Sequence, residues 1–230
     1  LAGHDVNITG DVETVQTNEA WKKSKRNYGT SSSVDQTFVG STVAAAGNLT
    51  VSAGNDIAIK GSELAAIGSV GLQAGNEISI TSGIEQDSAN FAGKVAKRKT
   101  VTSAETSTTN VLSNIVAGEN LSLTTPGAVT IVGGHLAAGD TAAITAGSVS
   151  ITGVIDTATF DEQVKKKKKG FLSKKTTTTT TSIVDQEVVS STVEGDKVLI
   201  GAVGDISIKG SNIVGTGDVV LNAGGAIDIG

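Results

Sequence analysis

The sequence predicts an all-β fold, a right-handed parallel β-helix of about 21 residues per coil with three projecting β-hairpins, and three observations predict it. The block from Gly40 to Lys60, GSTVAAAGNLTVSAGNDIAIK, superimposes without a gap on the next, Gly61 to Thr81, GSELAAIGSVGLQAGNEISIT, and the frame returns as GSNIVGTGDVVLNAGGAIDIG from Gly210 to Gly230. A fixed period of this length marks a solenoid, whose coils bury their apolar side chains only by stacking on their neighbours. Within each coil apolar and small polar residues alternate, as in Leu49-Thr50-Val51, Ile57-Ala58-Ile59 and Ile78-Ser79-Ile80, which is the period of a strand. Finally, the coils are interrupted three times by segments that resemble one another.

Each coil reads as three short strands separated by glycine corners. β-branched residues dominate the runs, and no segment keeps apolar spacing at i, i+3, i+4 and i+7, so helix is a poor reading. Residues 21 apart should stack at the strand spacing of ~4.8 Å: Val43 on Leu64, Leu49 on Val70, Val51 on Leu72, Ile57 on Ile78 and Ile59 on Ile80. Leu221, Ile227 and Ile229 should point inward in the last coil. Each such burial is worth roughly 1.5 to 3 kcal/mol.

The coils come in pairs, Gly40 to Thr81, Ser113 to Thr152 and Ser191 to Gly230. Inserts at 11–39, 82–112 and 153–190 precede the pairs. Each leaves as an acidic alternating strand, passes a basic centre and returns as a Ser/Thr-rich strand, which is a long β-hairpin. The inserts start after the same coil strand (Ile8-Thr9, Ile80-Thr81, Ile151-Thr152), so the hairpins should leave one flank of a single domain spanning 1–230, two or three coils apart. His4-Asp5-Val6-Asn7-Ile8 matches the second half of a coil, so the sequence reads as a piece of a longer solenoid.

Composition narrows the class. The 230 residues include 29 glycines, one proline, no cysteine and no methionine, with a formal net charge of −5. Lack of cysteine removes disulfides, thiol catalysis and thiolate metal sites, yet permits an extracellular address because a stacked β-coil needs no staples. No apolar run approaches the ~18 residues of a membrane-spanning helix.

Charge is divided unevenly. Fifteen of the 18 basic residues lie in the inserts: Lys22, Lys23, Lys25 and Arg26; Lys94, Lys97, Arg98 and Lys99; Lys165, Lys166, Lys167, Lys168, Lys169, Lys174 and Lys175. The acids split almost evenly, twelve in inserts and eleven in coils, and all six aromatics, Trp21 and Phe171 among them, are in the inserts. Positive charge beside Trp21 or Phe171 suits anionic headgroups, lipopolysaccharide or anionic glycans. The same lysines would also keep hairpin tips soluble and block edge pairing, and the sequence leaves both readings open.

Paired coils with the cadence AGNDIAI, AGNEISI and VGDISIKGSNI, interrupted by lysine-centred excursions, resemble the haemagglutinin repeats of bacterial filamentous-haemagglutinin-like exoproteins. The resemblance covers essentially the whole chain. It implies a right-handed β-helical filament exported by two-partner secretion through an outer-membrane transporter, secreted or held at the cell surface. It further implies an adhesin or a growth-inhibition toxin stalk acting at a target-cell outer membrane. No cofactor is implied.

Other chemistries fit less well. β-Helices host polysaccharide lyases and hydrolases, and a glycan-binding adhesin module is a further alternative. Asp56 and Glu77 would stack on adjacent coils, but they occupy Gly-Asn-Asp corners where acids are ordinary turn formers, and the coils contain no arginine. No catalytic residue is expected. His4 and His135 stand at coil starts without a partner at ligand spacing, so both read as solvent-facing turn residues and no metal site is expected. Nucleic acid is not an expected partner, given the negative net charge and the lack of a binding module.

Overall fold

A computed structural model describes residues 2–230 and, among them, contains strands, turns and bends but no helix. Three parallel sheets wrap a parallel β-helix. The first face stacks Val6–Thr9, Ile57–Lys60, Ile78–Thr81, Ala128–Val132, Ser148–Thr152, Ile206–Lys209 and Ile227–Ile229 in that order. The second stacks Thr42–Ala45, Glu63–Ala66, Ser113–Ala117, Gly134–Ala138, Ser191–Gly195 and Ser211–Gly215. The third stacks Leu49–Ala53, Val70–Ala74, Leu121–Thr124, Thr141–Ala146, Lys197–Ala202 and Val219–Ala223.

The register is the one the repeat dictates. Val43 pairs with Leu64, Leu49 with Val70, Val51 with Leu72, Ile57 with Ile78 and Ile59 with Ile80. Alternation turns every second side chain inward, so Ile57, Leu64, Leu72, Ile78, Ile80, Ile115, Ile131 and Leu136 are almost wholly buried in one aliphatic core. The last coil points inward as expected: Ile227 and Ile229 stand in register with the buried Ile206 and Ile208, and, lying in the last layer described, they are 45% and 66% exposed. Leu221 is half-buried for the same reason.

Corners are closed by hydrogen bonds between layers. The Asp5 carboxylate accepts from Asn55 Nδ2 and the Asp56 N–H, Asp56 accepts from Asn76 Nδ2 and the Glu77 N–H, and Asp205 accepts from the Ala226 N–H. Asp56 is therefore engaged as a corner cap. His135 is not in a turn: it lies within a second-face strand, with Nδ1 2.9 Å from Asn114 Oδ1 and Nε2 3.1 Å from Glu194 Oε1.

The corner between the first and second faces alternates between two solutions. Where the coil continues, glycine in the left-handed region makes the bend, at Gly61, Gly133 and Gly210. Where it does not, the chain leaves as a hairpin. Hairpin I pairs Asp11–Ser24 with Asn27–Val39, hairpin II pairs Gly83–Ala96 with Lys99–Val111, and hairpin III pairs Val154–Lys169 with Lys174–Val189.

Candidate binding surface on the hairpin sheet

The three hairpins are one sheet. The returning strand of hairpin I pairs antiparallel with the outgoing strand of hairpin II, and the returning strand of II pairs with the outgoing strand of III, giving six strands in continuous order. The coils explain why this fits. Successive hairpins are rooted two layers apart on the first face, after Thr9, Thr81 and Thr152. Two layers occupy ~9.6 Å, which is also the width of one two-stranded hairpin, so the hairpins tile edge to edge.

Two devices finish the seams. Near the roots the hairpins diverge, and carboxylates take over the unpaired N–H groups: Asp87 accepts from Gln36, Glu85 from Phe38 and Asp156 from Asn110, at 2.7–2.8 Å. Further out, Gly29 pairs with Gly93 across the seam between hairpins I and II. The Trp21 and Phe91 rings lie over these glycines, stacked with centroids 6.4 Å apart and planes 18° from parallel. A side chain on Gly93 would collide with the Phe91 ring; an aromatic ring covering a strand glycine is a known way to pin register.

Strand alternation gives the sheet two unlike faces. Directly opposed residues share a face, so Trp21, Gly29, Gly93, Val101, Val164 and Thr179 form one row, and Lys22, Tyr28, Lys94, Thr100, Lys165 and Thr178 form the next row on the opposite face. Following each strand from these rows puts the hairpin acids, Glu19, Glu105 and Glu162 among them, on the Trp21 side of the hairpin sheet. Asp161 alone of the twelve stands on the other side. That Lys22 side, the amide face, carries Asn18, Asn90 and Gln163 among threonines and serines.

The basic residues are thereby sorted. Lys25-Arg26 and Lys97-Arg98 form the turns of hairpins I and II. Lys23 and Lys99 lie beside those turns, and Lys99 pairs with Lys166. Lys167, Lys168, Lys169, Lys174 and Lys175 belong to the part of hairpin III that extends past hairpin II, ending in a loop where Phe171 and Leu172 are fully exposed. Trp21 is a correction to the sequence reading: it is half-buried in the seam, on the face opposite Lys22, and so is not an exposed companion of the lysines.

Sequence reasoning passed over the interior of the amide face. The row Ala20, Thr30, Ala92, Thr102, Gln163 and Thr180 and the row inward of it, with Asn18, Ser32, Asn90, Ala104 and Asp161, line an open trough of about 910 Å³ across all six strands. The pattern Asn18-x-Ala20-x-Lys22, repeated as Asn90-x-Ala92-x-Lys94, was the signal that could have found it. Among the described residues no cluster of His, Cys, Asp and Glu is arranged to hold a metal ion.

A family model described as "Hemagglutinin repeat" matches residues 2–98 and 96–177. No curated protein and no solved structure matches the chain.

Proposed function

Because this chain belongs to the hemagglutinin-repeat family, we propose that it is a structural and interaction segment of a secreted bacterial surface exoprotein, serving attachment to, or toxin delivery at, the outer membrane of a target cell. The coils are the rod. The hairpin sheet is the contacting part, and its cationic outer rim meets anionic lipopolysaccharide or lipid headgroups. No chemistry is assigned to the coils, and the parent is exported through a two-partner-secretion transporter.

The observation that carries this reading is the gathering of hairpin basic residues at one rim with Phe171 102% exposed and Leu172 93% exposed at its furthest point. Lysines attract an anionic interface, and an apolar tip gains by entering it. Exposed ion contacts are screened by salt.

Sedimentation with lipopolysaccharide or anionic vesicles tests the reading. Binding should fall as salt rises and should drop when Lys165 to Lys169 are replaced by serine. Equal binding by the two proteins would leave those lysines a solubilising role only.

A further inference from the structure

The charged border of the trough has a period. Lys22, Lys94 and Lys165 stand in one row on the amide face, one per hairpin and two strands apart, hence ~9.6 Å from one to the next. Tyr28 and Thr100 fill the intervening strands, so no other charge enters the row. Behind it lies the trough, with a floor of small side chains and amides from Asn18, Asn90 and Gln163.

This geometry selects a polymer. The trough crosses the strands, so it runs along the solenoid axis and is open at both ends, which suits a chain rather than a compact molecule. A ligand matched to the lysines must present anions at the interval of one hairpin, comparable to the advance of one extended disaccharide. Amides and hydroxyls on the floor offer donors and acceptors to sugar hydroxyls, and Tyr28 offers an aromatic surface. Segregation of every hairpin acid but Asp161 on the opposite face weakens their repulsion from this one. We propose that the amide face binds a linear anionic polysaccharide laid along the solenoid axis, with one carboxylate or sulfate per disaccharide and one disaccharide per hairpin.

The inference rests on the reading that the hairpin sheet meets anionic surfaces, and it moves the specific contact from the rim to the face. The three subsites are not equal. Where hairpins I and II carry Asn18 and Asn90, hairpin III carries Asp161, four residues before Lys165 and on the same face. That carboxylate repels a polyanion and makes the third subsite the weakest.

Hyaluronate oligosaccharides of increasing length, with one carboxylate per disaccharide, test the proposal on the whole chain by calorimetry at low salt. Affinity should rise with each added disaccharide up to the hexasaccharide and then level off. Lys22→Ser with Lys94→Ser should weaken binding by about tenfold or more, the loss expected for charge-assisted contacts, and Asp161→Asn should strengthen it. Circular dichroism and Trp21 emission, which reports the opposite face, check that the variants fold. Affinity independent of length would overturn the trough. So would a Lys22/Lys94 variant that binds as wild type while a variant with Lys166 to Lys169 replaced by serine does not, although the rim reading would then stand. Loss of lipopolysaccharide, vesicle and hyaluronate binding together would remove both.

Discussion

Ser113 Oγ donates to the carbonyl oxygen of Thr81 at 2.6 Å, joining the two feet of hairpin II across 32 residues of sequence. Ser41 does the same to Thr9 at 2.7 Å for hairpin I, and Ser191 to Thr152 at 2.6 Å for hairpin III. Each serine is the residue at which the chain re-enters the coil, so one hydroxyl restores the corner that the excursion interrupts. Ser113 and Ser191 are wholly buried.

Replacing Ser113 with alanine should therefore cost about 1–3 kcal/mol, the range for stranding buried polar partners. The Ser62 N–H, which faces Ser113 Oγ at 3.5 Å, also loses a neighbour. Ser41→Ala, at an exposed corner, should cost less. Denaturant unfolding of the two variants measures the difference, and equal costs would contradict the role given to burial.

Trp21 is the chain's single tryptophan, so its emission reads the seam between hairpins I and II. Gly93→Val would push the Phe91 ring off the seam and should shift that emission to the red. The coils should keep their far-ultraviolet spectrum. An unchanged emission maximum would mean that the ring and the glycine are not in contact.

Deleting one coil, residues 40–60, tests the match between coil height and hairpin width. Hairpins I and II would then be rooted ~4.8 Å apart, too close for both to keep two strands in one sheet. The shortened protein should fold as a β-helix yet show the same red shift of Trp21. Retention of the wild-type emission would refute the tiling.

Ile78→Asp places an unpaired carboxylate in the core and should cost several kcal/mol. Ile227→Asp, in the uncovered last coil, should cost far less. Comparing melting temperatures decides the matter; similar losses would mean that Ile227 is as well covered as Ile78.

The N-terminal corner should be acid-sensitive. Hydrogen bonds from Asn55 Nδ2 and the Asp56 N–H hold the Asp5 carboxyl below its ordinary value of 3.8. A depressed carboxyl pKa stabilises the fold above the unfolded value, and that contribution is lost as pH falls through the folded one. The amide resonances of Asn55 and Asp56 should therefore titrate together with a midpoint below 3.8 and lose that titration in Asp5→Asn. A midpoint at or above 3.8 would contradict the corner bonds.

Much of this architecture is legible in the sequence because a solenoid writes its contacts as a period. Ile57 and Ile78 are in contact because they are 21 residues apart, and the inserts are visible where that period stops. Contacts between hairpins leave a weaker trace. Gly29 and Gly93 meet through a backbone ladder between strands, which almost any residue can join whatever its side chain, and only the equality of two coil heights with one hairpin width foretells their meeting. Trp21 was misread by adjacency: beside Lys22 in sequence, it lies on the opposite face by strand alternation. His135 was misread as a turn residue because its partners Asn114 and Glu194 come from other coils. Ile227 and Ile229 follow the repeat in register with Ile206 and Ile208, so their inward direction is legible from the period alone.

The tiling of hairpins also fixes how the rod answers force. Coil-to-coil hydrogen bonds run along the axis, and so do the bonds between hairpin strands. A pull along the axis must load both arrays together, since every second layer is tied to both. The attached sheet acts as a keel: bending within its plane compresses or stretches five strand spacings at a distance from the axis, whereas bending across that plane only flexes a thin plate. Such a rod is stiff in one direction and compliant in the other, so it yields with the broad faces of its keel turned toward or away from whatever it presses against.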